Sequence, residues 1–120
     1  MSYDSENIFA KILRDELPKS TVYEDEEILA FEDIAPQAPI HILVIPKGNY
    51  KSFNDFSKNA PIEVVGRFFN RVGLIARDLG LSKNGYRLIT NIGYEGGQEV
   101  PHFHMHICGG KKLGRMLPSE

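Results

Sequence analysis

The sequence predicts a mixed fold of short strands and two helices, and three patterns predict it. His102-Phe103-His104-Met105-His106-Ile107-Cys108 alternates polar and apolar side chains over its whole length, the period of a strand with one face buried. Several other short apolar runs are bounded by proline, glycine or acidic clusters. Between them, residues 61–79 carry a helical period. At 120 residues the chain is expected to be one domain, large enough for a real core and too small for two.

Near the start, Asn7 caps a short helix running to Arg14, with Ile8, Phe9, Ile12 and Leu13 at helical spacing, and Leu17-Pro18 stops it. Thr21 to Tyr23 and Ile28 to Glu32 are strand candidates around the acidic turn Glu24-Asp25-Glu26-Glu27, which suits a hairpin with a solvated tip. The proline-bearing stretch 33–39 is an ordered connection. His41-Ile42-Leu43-Val44-Ile45 then reads as a buried, central strand, stopped by Pro46 and Gly48.

A loop containing Phe53 and Phe56 leads to Pro61, which suits a helical first turn. The long helix runs to about Leu79, spans about 28 Å, and ends at Gly80. Its polar stripe is narrow, and the apolar remainder is wider than one sheet face covers, which predicts a second partner surface. Gly66 and Gly73, seven apart on one face, each cost about 1 kcal/mol against alanine, and close backbone approach would compensate. Gly85 opens a strand from Tyr86 to Ile92, and Gly93-Tyr94-Glu95-Gly96-Gly97 forms the loop into the histidine strand.

Charge and composition narrow the function classes. A formal net charge of −2 gives no general attraction to nucleic acid or to anionic membrane, and Lys111, Lys112 and Arg115 make only a small basic tail. Cys108 is the single cysteine and cannot form an intrachain disulfide. Met1 to Glu6 is polar and acidic without a signal-peptide core, and no apolar run reaches spanning length. The expected location is the cytoplasm.

The alternation puts His102, His104, His106 and Cys108 on one strand face, opposite Phe103, Met105 and Ile107. Three readings compete for such a row. A polar outer face of an edge strand would not need three imidazoles with no other polar type among them. A metal site meets a distance problem: residues i and i+4 on a strand are ~13 Å apart at Cα, so His102 and His106 could not share a zinc ion whose ligand nitrogens lie within roughly 2.1 Å. A metal could use only adjacent members with an outside ligand such as His41. In the third reading a neutral imidazole attacks phosphorus in a phosphate ester or amidate while its neighbours move protons. The glycines at 96–97 favour it, since such a loop can turn backbone N–H groups toward phosphate oxygens.

The histidine run resembles the signature of the histidine triad (HIT) superfamily, His-x-His-x-His with apolar residues at x and two apolar residues after. The similarity continues through Ile8 to Ile12, Ala30 to Ile34, Pro36 to Lys47, Gly96-Gly97-Gln98 and Gly109-Gly110, and points to the Hint-like branch of nucleoside phosphoramidate hydrolases. The resemblance implies an α+β fold with a five-stranded antiparallel sheet, a short N-terminal helix and one long helix, assembled as a homodimer. It implies hydrolysis of a purine nucleoside 5′-phosphoramidate, adenosine foremost, to the nucleoside monophosphate and an amine. By motif position His104 is the nucleophile of a nucleotidyl-histidine intermediate, His106 and His102 assist phosphate binding and proton transfer, and His41 joins the same network. Asn91 and the Gly97, Gln98 and Glu99 backbone would contact the phosphate, Asp33 the ribose hydroxyls, and Ile8, Phe9, Ile12, Phe31 and Ile34 the base. No metal or other cofactor is expected, and neither nucleic acid nor membrane as a partner.

Two positions depart from the pattern. Glu99 stands where many Hint-like proteins have serine, and a carboxylate there repels phosphate unless it points away. Pro101 replaces a common tyrosine, a feature of Fhit-type dinucleoside polyphosphate hydrolases, while Gly109-Gly110 and the short tail favour the Hint-like branch. Dinucleoside polyphosphate cleavage and a nucleotide-binding adaptor with incidental turnover are the alternative functions.

Overall fold

The computed structural model describes residues 2–118; Met1 and the last two residues of the C-terminal tail, Ser119 and Glu120, lie outside them. Eight elements follow in the order α1 (Ile8–Leu13), β1 (Thr21–Glu24), β2 (Ile28–Glu32), β3 (Ile40–Pro46), α2 (Phe53–Asn59), α3 (Ile62–Asp78), β4 (Arg87–Ile89) and β5 (Met105–Gly109). The strands form one five-stranded sheet, β1-β2-β3-β5-β4, antiparallel at every junction. This is the expected α+β architecture.

Local chemistry starts and stops each element. The Asn7 side chain accepts from the Ala10 N–H at 2.9 Å and caps α1. That helix ends well before Pro18. Asp15 takes the left-handed conformation, φ 62°, while the N–H groups of Asp15 and Glu16 return to the carbonyls of Ile12 and Lys11, the two bonds of a Schellman motif. α3 ends in the same way at Gly80, φ 76°, with Gly80 bonded to Arg77 and Leu81 to Ala76.

The β1–β2 hairpin is built by Asp25, whose carboxylate accepts from the Glu27 and Ile28 N–H groups. Its acidic tip is not simply solvated. Glu27 takes a two-pronged bond from Arg67 of α3 at 2.9 and 2.8 Å, and Asp25 lies 3.5 Å from Arg71.

Alternation along β2 and β3 sends their apolar side chains to both faces. Ile28, Ala30, Ile42 and Val44 join Phe56, Phe68, Val72, Ile75, Phe103, Met105 and Ile107 under α2 and α3. Leu29, Phe31, Leu43 and Ile45 pack with Phe9 and Ile12 of α1 on the opposite face. In register, Leu43 faces His106 and His41 faces Cys108, so both imidazoles lie on the α1 side.

Four expectations need correction. The segment around Phe53 and Phe56 is a helix, α2, capped by Ser52; Phe56 is wholly buried and stacks 4.8 Å from Phe103. The strand read over Tyr86 to Ile92 is paired only at Arg87–Ile89, an edge position where ladder bonds exist on one side alone. The histidine strand begins at Met105, so His102, Phe103 and His104 precede it and strict alternation does not place them. Gly66 has nothing within 4 Å of its would-be Cβ, and Gly73 meets only an Arg77 side chain, so among the described residues no neighbouring backbone exploits them.

Candidate active site

Between α1, the α1-side face of the sheet and the segment before β5 lies an open cleft of about 1300 Å3. Apolar side chains of Ile8, Phe9, Ile12, Phe31 and Ile34 line one wall; Asp33, Asn91, Gly97, Glu99, His41, His104 and His106 line the rest. The tail from Leu113 to Pro118 contributes a further wall. Two residues assigned to the site from sequence are not on its surface. His102 is fully buried, and the Gln98 side chain is spent on the Lys51 and Val100 carbonyls and the Gly93 N–H.

Hydrogen bonds fix which nitrogen of each imidazole carries its proton. His102 Nε2 lies 2.8 Å from the Pro46 carbonyl, which can only accept, so Nε2 is the protonated nitrogen. His104 Nδ1 lies 2.7 Å from the His102 carbonyl and must also donate. In the neutral ring this leaves His104 Nε2 as a bare lone pair. Among the described residues that atom has no hydrogen-bond partner and no buried polar side-chain atom lacks one, so it opens on the cleft.

The opposite arrangement holds at His106. The Gln37 N–H donates to His41 Nδ1 at 3.0 Å, which places the His41 proton on Nε2. That proton goes to His106 Nδ1, 2.9 Å away, and so His106 carries its own proton on Nε2, the atom left for the cleft. His104 and His106 have ring centroids 5.1 Å apart. The pair sets a nucleophilic nitrogen beside an N–H donor.

Burial favours the neutral form of His102, His104 and His106. Desolvation pushes His102 and His106 down to about 4 and lowers His104 as well. At His104 the His102 carbonyl and the charges of Asp33 and Glu99 oppose that fall. Glu99 lines the cleft, and its charge favours a cationic His104 ring.

The loop before His102 is tightly made. At Gly96 a Cβ would sit 2.3 Å from the Ile92 carbonyl oxygen, so only glycine fits. The Gly97 and Gln98 N–H groups bond to the Tyr94 and Gly93 carbonyls, and Asn91 Nδ2 donates to Gly96 at 2.6 Å. The Gly97 and Gln98 amides are thus spent within the loop, whereas the sequence points them toward phosphate; Asn91, a cleft residue, has a second Nδ2–H beyond the one given to Gly96.

Among the described residues one set could hold a metal ion: Asp33, His41 and His106, whose ligand atoms lie within 4.8 Å of one another. His41 Nδ1 is already occupied by Gln37 and its Nε2 by His106. An ion there would have to displace the proton that links the two rings. The site's groups fit proton transfer better than metal binding.

The HIT domain model matches residues 14–113. The chain belongs to the HIT family. An uncharacterised HIT-like protein of Rickettsia prowazekii is 54% identical over 92% of both chains, and the purine nucleoside phosphoramidase of Escherichia coli K12 is 47% identical over 93% of both. Among solved structures, a HIT family hydrolase from Clostridium thermocellum superposes with a TM-score of 0.87 at 37% identity, covering 95% of this chain and 99% of its own. A histidine triad protein from Clostridium difficile gives 0.86 at 41%, covering 97% and 100%. These HIT relatives support hydrolysis as the reaction class.

Several residues of this HIT site carry no signal in the sequence. Gln37 acts through its backbone, Thr90 through a hydroxyl bond to the His104 carbonyl at 2.8 Å, and Tyr3 through a contact spanning nearly the whole chain. Arg87, another cleft residue, holds the tail by the Gly114 and Arg115 carbonyls.

Proposed function

We propose that this HIT protein hydrolyses purine nucleoside 5′-phosphoramidates, adenosine derivatives foremost, by double displacement at phosphorus. The observation that carries the reading is the fixed polarity of the two cleft imidazoles: His104 presents a lone pair and His106 an N–H. In the first step His104 Nε2 bonds to phosphorus and the P–N bond breaks, the amine leaving with a proton from the His106–His41 relay. In the second, water attacks phosphorus, its proton returns to the relay, and the bond to His104 breaks. The phosphorylated His104 ring is cationic, and the His102 carbonyl with the Asp33 and Glu99 carboxylates favours that charge.

The purine sits against Ile8, Phe9, Ile12, Phe31 and Ile34, and Asp33 accepts from the ribose. The Glu99 N–H, which the loop leaves uncommitted, contacts phosphate together with Asn91. The E. coli relative's name supports the purine phosphoramidate class. A homodimer joins the outward face of α3, where Ile62 is 83% exposed and Gly66 meets nothing within 4 Å.

Chirality at phosphorus tests the mechanism. Each in-line displacement inverts the centre, so the unmutated protein should give net retention, and net inversion would mean that water attacks directly. Substrate class is tested by comparing kcat/KM for an adenosine phosphoramidate and a diadenosine polyphosphate. A clear preference for the second would replace the phosphoramidate assignment.

A further inference from the structure

The polar segment ahead of α1 reaches back into the histidine cluster. The Tyr3 hydroxyl lies 2.5 Å from His102 Nδ1, and its half-buried ring stands edge-on to the imidazole, centroids 5.7 Å apart at 73°. Tyr3 lies four residues ahead of Asn7, the residue that caps α1. Because the Pro46 carbonyl fixes the His102 proton on Nε2, a neutral His102 has an acceptor lone pair on Nδ1. Tyr3 is the donor to it.

What this bond controls follows from the chain around it. Residues 102–104 precede β5, so no regular ladder holds them; single bonds do, from the His102 N–H to Val100, from the Phe103 N–H to Tyr50 and from Thr90 to the His104 carbonyl. The acceptor that aims the His104 ring is the main-chain carbonyl of residue 102 itself. A displacement of residue 102 as a whole therefore moves that acceptor, and the His104 ring with it. Phe9 stands edge-on to both rings, with centroids 6.4 and 4.8 Å away.

We propose that Tyr3 is a positioning residue for the hydrolysis: its hydroxyl holds His102 in place, and through the His102 carbonyl aims His104 Nε2 at phosphorus. This rests on the reading of His104 as nucleophile. Tyr3 touches neither substrate nor the reacting atoms.

The test removes the hydroxyl and keeps the ring. In Tyr3→Phe, kcat for an adenosine 5′-phosphoramidate should fall about tenfold with KM within twofold, as expected when a reacting group is misaimed and substrate binding is intact. In the same variant, free of substrate, 15N NMR of the His102 ring should show the Nδ1 resonance moved from its hydrogen-bonded position. Both changes together are expected; either one without the other overturns the proposal. Tyr3→Leu, which also removes the ring, serves as the packing control. A loss in Tyr3→Leu with wild-type kcat in Tyr3→Phe would make Tyr3 a packing residue and equally overturn the proposal. The NMR reading involves no turnover, so it stands apart from the nucleophile assignment, which fails separately if His104→Ala keeps its activity.

Discussion

At the scale of single residues, the site depends on three imidazoles held neutral and one nitrogen left bare. His104→Ala should lose several orders of magnitude in turnover and still bind a nucleoside monophosphate, because Asp33, Asn91 and the apolar wall remain; calorimetric titration beside an assay checks both halves. The buried rings also set an acid limit to stability. His102 titrates near 4 when folded and near 6.5 when unfolded, so the unfolded chain binds the extra proton between those values. Stability is therefore full above about pH 6.5 and falls as pH drops toward 4, by about 3 kcal/mol for this fully buried group. His106, also pushed down to about 4, acts in the same direction. Urea unfolding at pH 7 and pH 4.5 should show the difference, and a His102→Phe variant should flatten it.

At the scale of elements, the caps and the aromatic cluster under α2 carry testable weight. The Ser52 side chain accepts from the Asp55 N–H at 3.3 Å, and Ser52→Ala should cost about 1 kcal/mol. Phe56 stacks on Phe103 and packs edge-on to Tyr50 and Phe68; Phe56→Ala should cost about 3–5 kcal/mol. Thermal or denaturant unfolding measures both. Since Phe103 lies between two of the histidines, the second variant should also slow turnover more than the first. The α2 helix leaves little trace in the sequence because its period is short and its Ser52-x-x-Asp55 start resembles an ordinary polar loop. Asn7, by contrast, was legible as a cap because the apolar periodic residues begin directly after it.

At the scale of the whole molecule, α3 leaves Ile62 and Phe69 exposed on its outward face, the surface on which we propose that a homodimer forms. Light scattering at micromolar concentration should show a dimer, and Ile62→Lys with Phe69→Glu should give a monomer, because charge on a buried apolar patch is costly. Exhaustive chelation should leave turnover unchanged, since the nucleophile and the proton relay all come from protein groups; a loss restored by zinc would reassign Asp33, His41 and His106 as ligands. Within the described residues no helix is long and apolar enough to cross a membrane.

Periodicity and local chemistry are enough to read the five strands, α1 and α3, because side-chain period and capping are written in neighbouring residues. The resemblance carried by His102 to Cys108 added the family and the expected roles. Folding decided what depends on distant partners. Alternation put His102 beside His104 and His106, yet the Pro46 carbonyl and Tyr3 hold it inside the protein. The same alternation could not say that Gln37 orients His41, or that His104 offers its Nε2 and His106 an N–H. A proton's place on an imidazole is set by what each ring nitrogen meets, and here those partners come from residues 4 to 99 positions away, or from backbone groups that side-chain patterns do not reveal.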